Sequence, residues 1–140
     1  MVQVQRSVEK VDDMQKKILV VDDEKMIRDM LEKALTREGY EVVCSESAEE
    51  ALEALKKTTA QVMFLDLKLP GMNGLDLCRE IRELYPMSIA YAITGYASLF
   101  ELSDCRRAGF EGYFTKPVDL KTLFETANDA FEKIKRWQKN

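Results

Sequence analysis

The sequence predicts an α/β fold: a three-layer sandwich with five helices packed on the two faces of a five-stranded parallel sheet. Five short apolar runs, none longer than five residues, alternate with amphipathic segments along the chain. The runs lack the polar alternation of a half-wetted strand, so they read as strands covered on both faces, as in a parallel sheet. Successive β-α units with right-handed crossovers then set helices above and below that sheet.

The first run, Ile18 to Val21, leads into Glu24 to Arg37, where Ile27, Met30, Leu31, Ala34 and Leu35 recur at helical spacing and Gly39 supplies a stop. After the second run, Val42 to Cys44, a helix opens at Ser47. Glu50 completes a capping-box pattern, and Ala51, Leu52, Ala54 and Leu55 form the apolar face. The third run, Val62 to Leu65, precedes the Pro70-Gly71 turn and a helix from Gly74 to Leu84, striped by Leu75, Cys78 and Ile81 and ended by Pro86. The fourth, Ile89 to Ile93, is followed by a weaker helical pattern from Ala97 to Ala108 that stops at Gly109. The fifth, Tyr113 to Phe114, precedes the clearest amphipathic helix, which begins at Asp119 and carries Leu120, Leu123, Phe124, Ala127, Phe131 and Ile134. Tyr91 and Phe110 read as packing residues, Met72 and Met87 as gap-fillers, and Gly71 and Gly74 as servants of the tight turn beside Asp66.

At 140 residues the chain is one domain's worth, enough to bury roughly two-thirds of its unfolded surface without staples. Apolar residues make up 46% and charged residues 33%, an ordinary globular balance, and no run approaches the roughly 20 apolar residues of a membrane span. The net charge is −4 and the body carries no basic stretch, so direct nucleic-acid binding is not expected. Lys133, Lys135, Arg136 and Lys139 form one basic cluster, which complements the dipole at the end of the last helix. Three widely spaced cysteines, Cys44, Cys78 and Cys105, sit among apolar neighbours and suggest neither a disulfide framework nor a metal site. A reducing, cytoplasmic setting fits. The segment 1–16 lacks the features of a signal peptide and reads as a flexible N-terminal extension, although Val4, Val8 and Val11 share one helical face. Residues 17–137 form the predicted domain and 138–140 a tail too short to encode a DNA-binding or catalytic output.

In such sheets ligands bind beyond the carboxyl ends of the strands. Strand one ends in Asp22-Asp23, strand three in Asp66, strand four in Thr94 and strand five in Lys116-Pro117. Singly these are caps and turn formers. Together they bring three carboxylates to one edge, where each pair at about 5 Å costs roughly 3 kcal/mol at an effective dielectric near 20. Lys116 offsets part of this. With no histidine in the chain, an all-oxygen acidic pocket is one that Mg²⁺ or Mn²⁺ occupies. A carboxylate nucleophile, a hard metal, a hydroxyl and a lysine are the parts of a phosphoryl-transfer site. The missing histidines also mean that any phosphohistidine donor is another protein.

The strings KILVVDDE (17–24), VMFLDLKLPGMNGLDLCREIR (62–82), AITGY (92–96) and GYFTKPVDL (112–120) resemble response regulator receiver domains of two-component systems in order and spacing. The resemblance spans Lys17 to about Trp137 and implies the flavodoxin-like strand order 2-1-3-4-5. It implies that Asp66 is the phospho-acceptor, with Asp22, Asp23, Asp66 and the backbone carbonyl of Lys68 as Mg²⁺ ligands. Thr94 and Lys116 would contact the phosphoryl group, and Pro117 would follow a cis peptide bond. Thr94 and Tyr113 would be the switch residues that alter partner binding on the face formed by helix four, strand five and helix five. Implied partners are a sensor histidine kinase or histidine phosphotransfer protein as donor and a downstream protein as target. Lys68 and Tyr96 would flank the path of a hydrolytic water and slow dephosphorylation.

Two other functions remain open on the residues. A receiver-fold module that binds partners without phosphorylation would need none of the strand-end groups. A haloacid-dehalogenase-like phosphatase would carry a second acid two residues after its nucleophile, where this chain has Lys68. The resemblance therefore implies a switch with self-phosphotransfer and slow autodephosphorylation rather than an enzyme.

Overall fold

The computed structural model describes residues 15–95 and 99–139. The strands are β1 (Lys17–Val21), β2 (Glu41–Ser45), β3 (Val62–Asp66), β4 (Ile89–Thr94) and β5 (Gly112–Thr115), all paired in parallel in the order β2-β1-β3-β4-β5. The helices are α1 (Lys25–Arg37), α2 (Ala48–Lys57), α3 (Gly74–Leu84), α4 (Leu99–Ala108) and α5 (Leu120–Lys139). Each helix follows the strand of the same number, which is the predicted α/β sandwich.

Alternate residues of each strand enter different layers, because successive side chains point to opposite faces. Ile18 and Val20 of β1, Val62 and Phe64 of β3, and Tyr91 and Ile93 of β4 pack with Leu31 and Leu35 of α1 and with Leu123, Ala127 and Phe131 of α5. Leu19, Val21, Met63, Leu65, Ala90 and Ala92 face the other way, against Ala51 and Leu55 of α2, Leu77, Cys78 and Ile81 of α3, and Cys105 of α4. Two-faced burial holds for the three central strands; β3 is buried at every position. The edge strands β2 and β5 depart from it, since each has a neighbour on one side only, and in β5 Tyr113 and Thr115 are exposed. Phe64, Tyr91 and Phe114 form an aromatic cluster across β3, β4 and β5, and Phe110 is buried, so Tyr91 and Phe110 are packing residues as expected.

The helix signals act where the sequence places them. Ser47 caps α2 by accepting the Glu50 N–H at 3.1 Å, but the Glu50 carboxylate takes the N–H of Glu46 rather than that of Ser47, so the box closes one residue early. Asn73 caps α3 and Asp119 caps the start of α5. Gly39 and Gly109 take left-handed backbone just past α1 and α4. Met87 is a correction: it stands 56% exposed, because the chain turns at Pro86 and lifts the side chain out of the core. The cysteines are thiols, and burial pushes Cys78 up to about 12. Val4, Val8, Val11 and Tyr96 lie outside the described residues.

Candidate functional site

The strand order reverses between β1 and β3, and at their carboxyl ends the chain assembles an acidic cluster. Asp22 follows β1 in a turn fixed on three sides. Its N–H donates to the Ser45 carbonyl at 3.1 Å, its Oδ1 accepts the Glu24 N–H at 2.8 Å, and its carbonyl accepts from the Arg28 guanidinium at 2.8 Å. Asp66 ends β3, and its Oδ1 accepts the Lys68 N–H at 3.1 Å, which bends the chain away from the sheet. Gly74 is packed on this bend: a Cβ there would lie 2.1 Å from the Asp66 carbonyl oxygen. Thr94 ends β4, almost fully buried, and its carbonyl accepts the Lys116 N–H at 2.8 Å. Lys116 follows β5 and is joined to Pro117 by a cis peptide bond.

Carboxylate oxygens of Asp22, Asp23 and Asp66 all lie within 4.8 Å of one another. Asp22 and Asp66 are buried and Asp23 is exposed at the mouth. The Lys116 ammonium sits 3.0 Å from Asp22 Oδ2, 3.4 Å from Asp66 Oδ2 and 2.9 Å from Glu24 Oε1. Burial pushes the Asp66 carboxyl above the ordinary aspartate range; the Lys68 amide opposes this, the Asp22 charge adds to it, and Lys116 does not cancel it. Burial also works against the Lys116 ammonium, but its close contacts with Glu24 and Asp22 and the charges of Asp66 and Asp22 outweigh burial and carry it well above the ordinary lysine range. Lys116 is therefore a fixed cation.

One lysine among four carboxylates leaves negative charge in excess. Asp22 Oδ2 is buried and takes no well-aimed hydrogen bond from the described residues; the Lys116 charge alone compensates it. An orphaned carboxylate oxygen within an all-oxygen set suits a hard divalent cation such as Mg²⁺.

The structure thus brings together Asp22, Asp23, Asp66 and Lys116, with Thr94 on the adjoining strand end. The Lys68 side chain is exposed beside Asp66, and Tyr96, expected to pair with it in excluding water, lies outside the described residues. Tyr113 is 48% exposed and borders a groove of about 530 Å³ with Leu102, Arg106 and Phe110 between α4 and β5. An apolar cavity of about 280 Å³, lined by Leu55, Ala60, Tyr85, Met87 and Ile134, lies at the opposite end of the sheet, where β3 and β4 begin, and takes no part in the acidic site. Glu24 was not singled out by sequence reasoning. Its place beside an acidic pair at a helix start is the only local signal.

Known proteins agree with this architecture. A family described as the response regulator receiver domain matches residues 18–128. A CheY-like receiver domain protein from Methanospirillum hungatei shares the fold at a TM-score of 0.84 with 32% identity, over 88% of this chain and 98% of that one. The chemotaxis protein CheY4 of Vibrio cholerae gives 0.79 and 28%, over 84% and 99%. NtrX from Brucella abortus gives 0.83 and 32% over 90% of this chain, which spans 29% of that larger protein. No helix among the described residues is long and apolar enough to cross a membrane. By profile, fold and topology, the chain belongs to the response regulator receiver domains, signalling modules of two-component systems.

Proposed function

We propose that this receiver, comprising residues 17–137, accepts a phosphoryl group on Asp66 from a phosphohistidine of a sensor kinase or phosphotransfer protein. The observation that carries the reading is the convergence of three aspartates and one lysine at the switch point of the sheet. A carboxylate oxygen of Asp66 attacks phosphorus; the P–N bond breaks, its electron pair stays on the imidazole nitrogen, which then takes a proton, and an acyl phosphate remains. Mg²⁺, held by Asp22, Asp23, Asp66 and the Lys68 carbonyl, would neutralise phosphoryl oxygens when bound. Lys116 offers its ammonium to the same oxygens, and the Thr94 hydroxyl donates a hydrogen bond to one of them. Tyr113, outward beside its groove, turns inward after Thr94 moves, and the α4-β5-α5 face exchanges its downstream protein partner.

Incubation with acetyl phosphate and Mg²⁺, read by intact mass, should add one phosphoryl group to the wild type. EDTA or the substitution Asp66→Asn should abolish it. No gain in the wild type would remove the phosphorylation reading and leave a receiver-fold binding module.

A further inference from the structure

Glu24 occupies the N-cap position of α1 with extended backbone, yet its carboxylate makes no capping hydrogen bond. It reaches instead to Lys116, 92 residues further on, at 2.9 Å, closer than the acceptor Asp66 at 3.4 Å. Its backbone is fixed for that reach. Its N–H donates to Asp22 Oδ1, and its carbonyl accepts the N–H groups of Ile27 and Arg28, each at 3.1 Å. The three carboxylates around the lysine differ in what losing it would cost. Asp22 is fully buried and depends on the ammonium, whereas the Glu24 side chain is 60% exposed and water replaces the lysine readily.

We propose that Glu24 is a positioning residue, a releasable latch that keeps Lys116 at the long end of hydrogen-bond distance from the acceptor, 3.4 Å from Asp66, until a phosphoryl group arrives. The proposal rests on the phosphorylation reading above. In the resting site Lys116 is shared among Asp22, Glu24 and Asp66. When phosphoryl oxygens appear on Asp66, the ammonium leaves Glu24, keeps Asp22 and closes on the new anion. The latch lowers the fraction of molecules whose lysine is poised for phosphoryl transfer. It guards the site against small phosphodonors.

The test compares Glu24→Gln with the wild type, scoring the initial rate of phosphorylation by two donors with saturating Mg²⁺. Acetyl phosphate is dianionic near neutral pH, and phosphoramidate carries one net negative charge. Release of an exposed ion pair predicts a gain of about two- to fivefold, equal for both donors, because the lysine must leave Glu24 in either case. A gain that is clearly larger for the dianion would assign Glu24 to simple repulsion of the donor and overturn the latch. Unchanged or slower rates with both donors would overturn it too. Failure of the wild type to accept phosphate from either donor would instead overturn the underlying reading of Asp66.

Discussion

Replacing Gly74 by alanine is expected to lower the stability of the domain by about 3 kcal/mol or more and to stop phosphate acceptance. Helix propensity argues the other way, since alanine is favoured over glycine by about 1 kcal/mol within a helix. The contact decides the sign. An added Cβ would meet the Asp66 carbonyl oxygen at 2.1 Å, the Leu67 Cα at 2.8 Å and the Asp66 carbonyl carbon at 2.9 Å, all backbone atoms that cannot rotate aside. The bend after β3 and the start of α3 must separate, which breaks the 3.1 Å bond from the Gly74 N–H to the Leu67 carbonyl and moves Asp66. Gly39 is the control: its φ is +97°, but a Cβ there meets nothing within 4 Å, so Gly39→Ala should cost only about 1 kcal/mol of backbone strain. Urea unfolding midpoints compare the two; a smaller loss at Gly74 than at Gly39 would contradict the packing described.

The second large effect is that of Lys116→Met, which keeps the length of the side chain and removes its charge. In metal-free protein Asp22, fully buried, and Asp66, 3% exposed, would then face each other with no cation between them. Breaking a buried pair by deleting one member costs roughly 3 kcal/mol at neutral pH. The pH dependence follows from the raised Asp66 carboxyl. An acid whose folded value lies above its unfolded value destabilises the fold when ionised in both states, and that penalty fades as pH falls through the window between the two values. Loss of Lys116 deepens the penalty, so the difference between variant and wild type should be greatest near pH 7 and shrink on acidification through the carboxylate range. Urea titrations at a series of pH values read this directly. A loss independent of pH would assign the role of Lys116 to packing.

The fold was legible because burial leaves its mark residue by residue. Val62 to Leu65 carries no polar side chain because β3 has a strand on each side and a helix layer on each face. The same logic blurs at the edges, where β5 shows only Tyr113 and Phe114 as apolar although it extends over Gly112–Thr115. The acidic cluster was legible because charge at successive strand ends has one place to go in a parallel sheet. Glu24 was not, since after Asp22 and Asp23 it reads as the first residue of a helix, and what commits it is a lysine 92 residues away. Met87 misled for a related reason: its type suits a core, but the turn at Pro86 determines where it points.

The most direct test of the central claim locates the acceptor chemically. Protein treated with acetyl phosphate and Mg²⁺ is quenched with borohydride, which reduces an acyl phosphate to the alcohol and converts the modified aspartate to homoserine. Peptide mapping should then find homoserine at position 66 and aspartate at positions 22 and 23. Homoserine at 22 or 23, or at no position in protein that has gained a phosphoryl group, would contradict the assignment of Asp66.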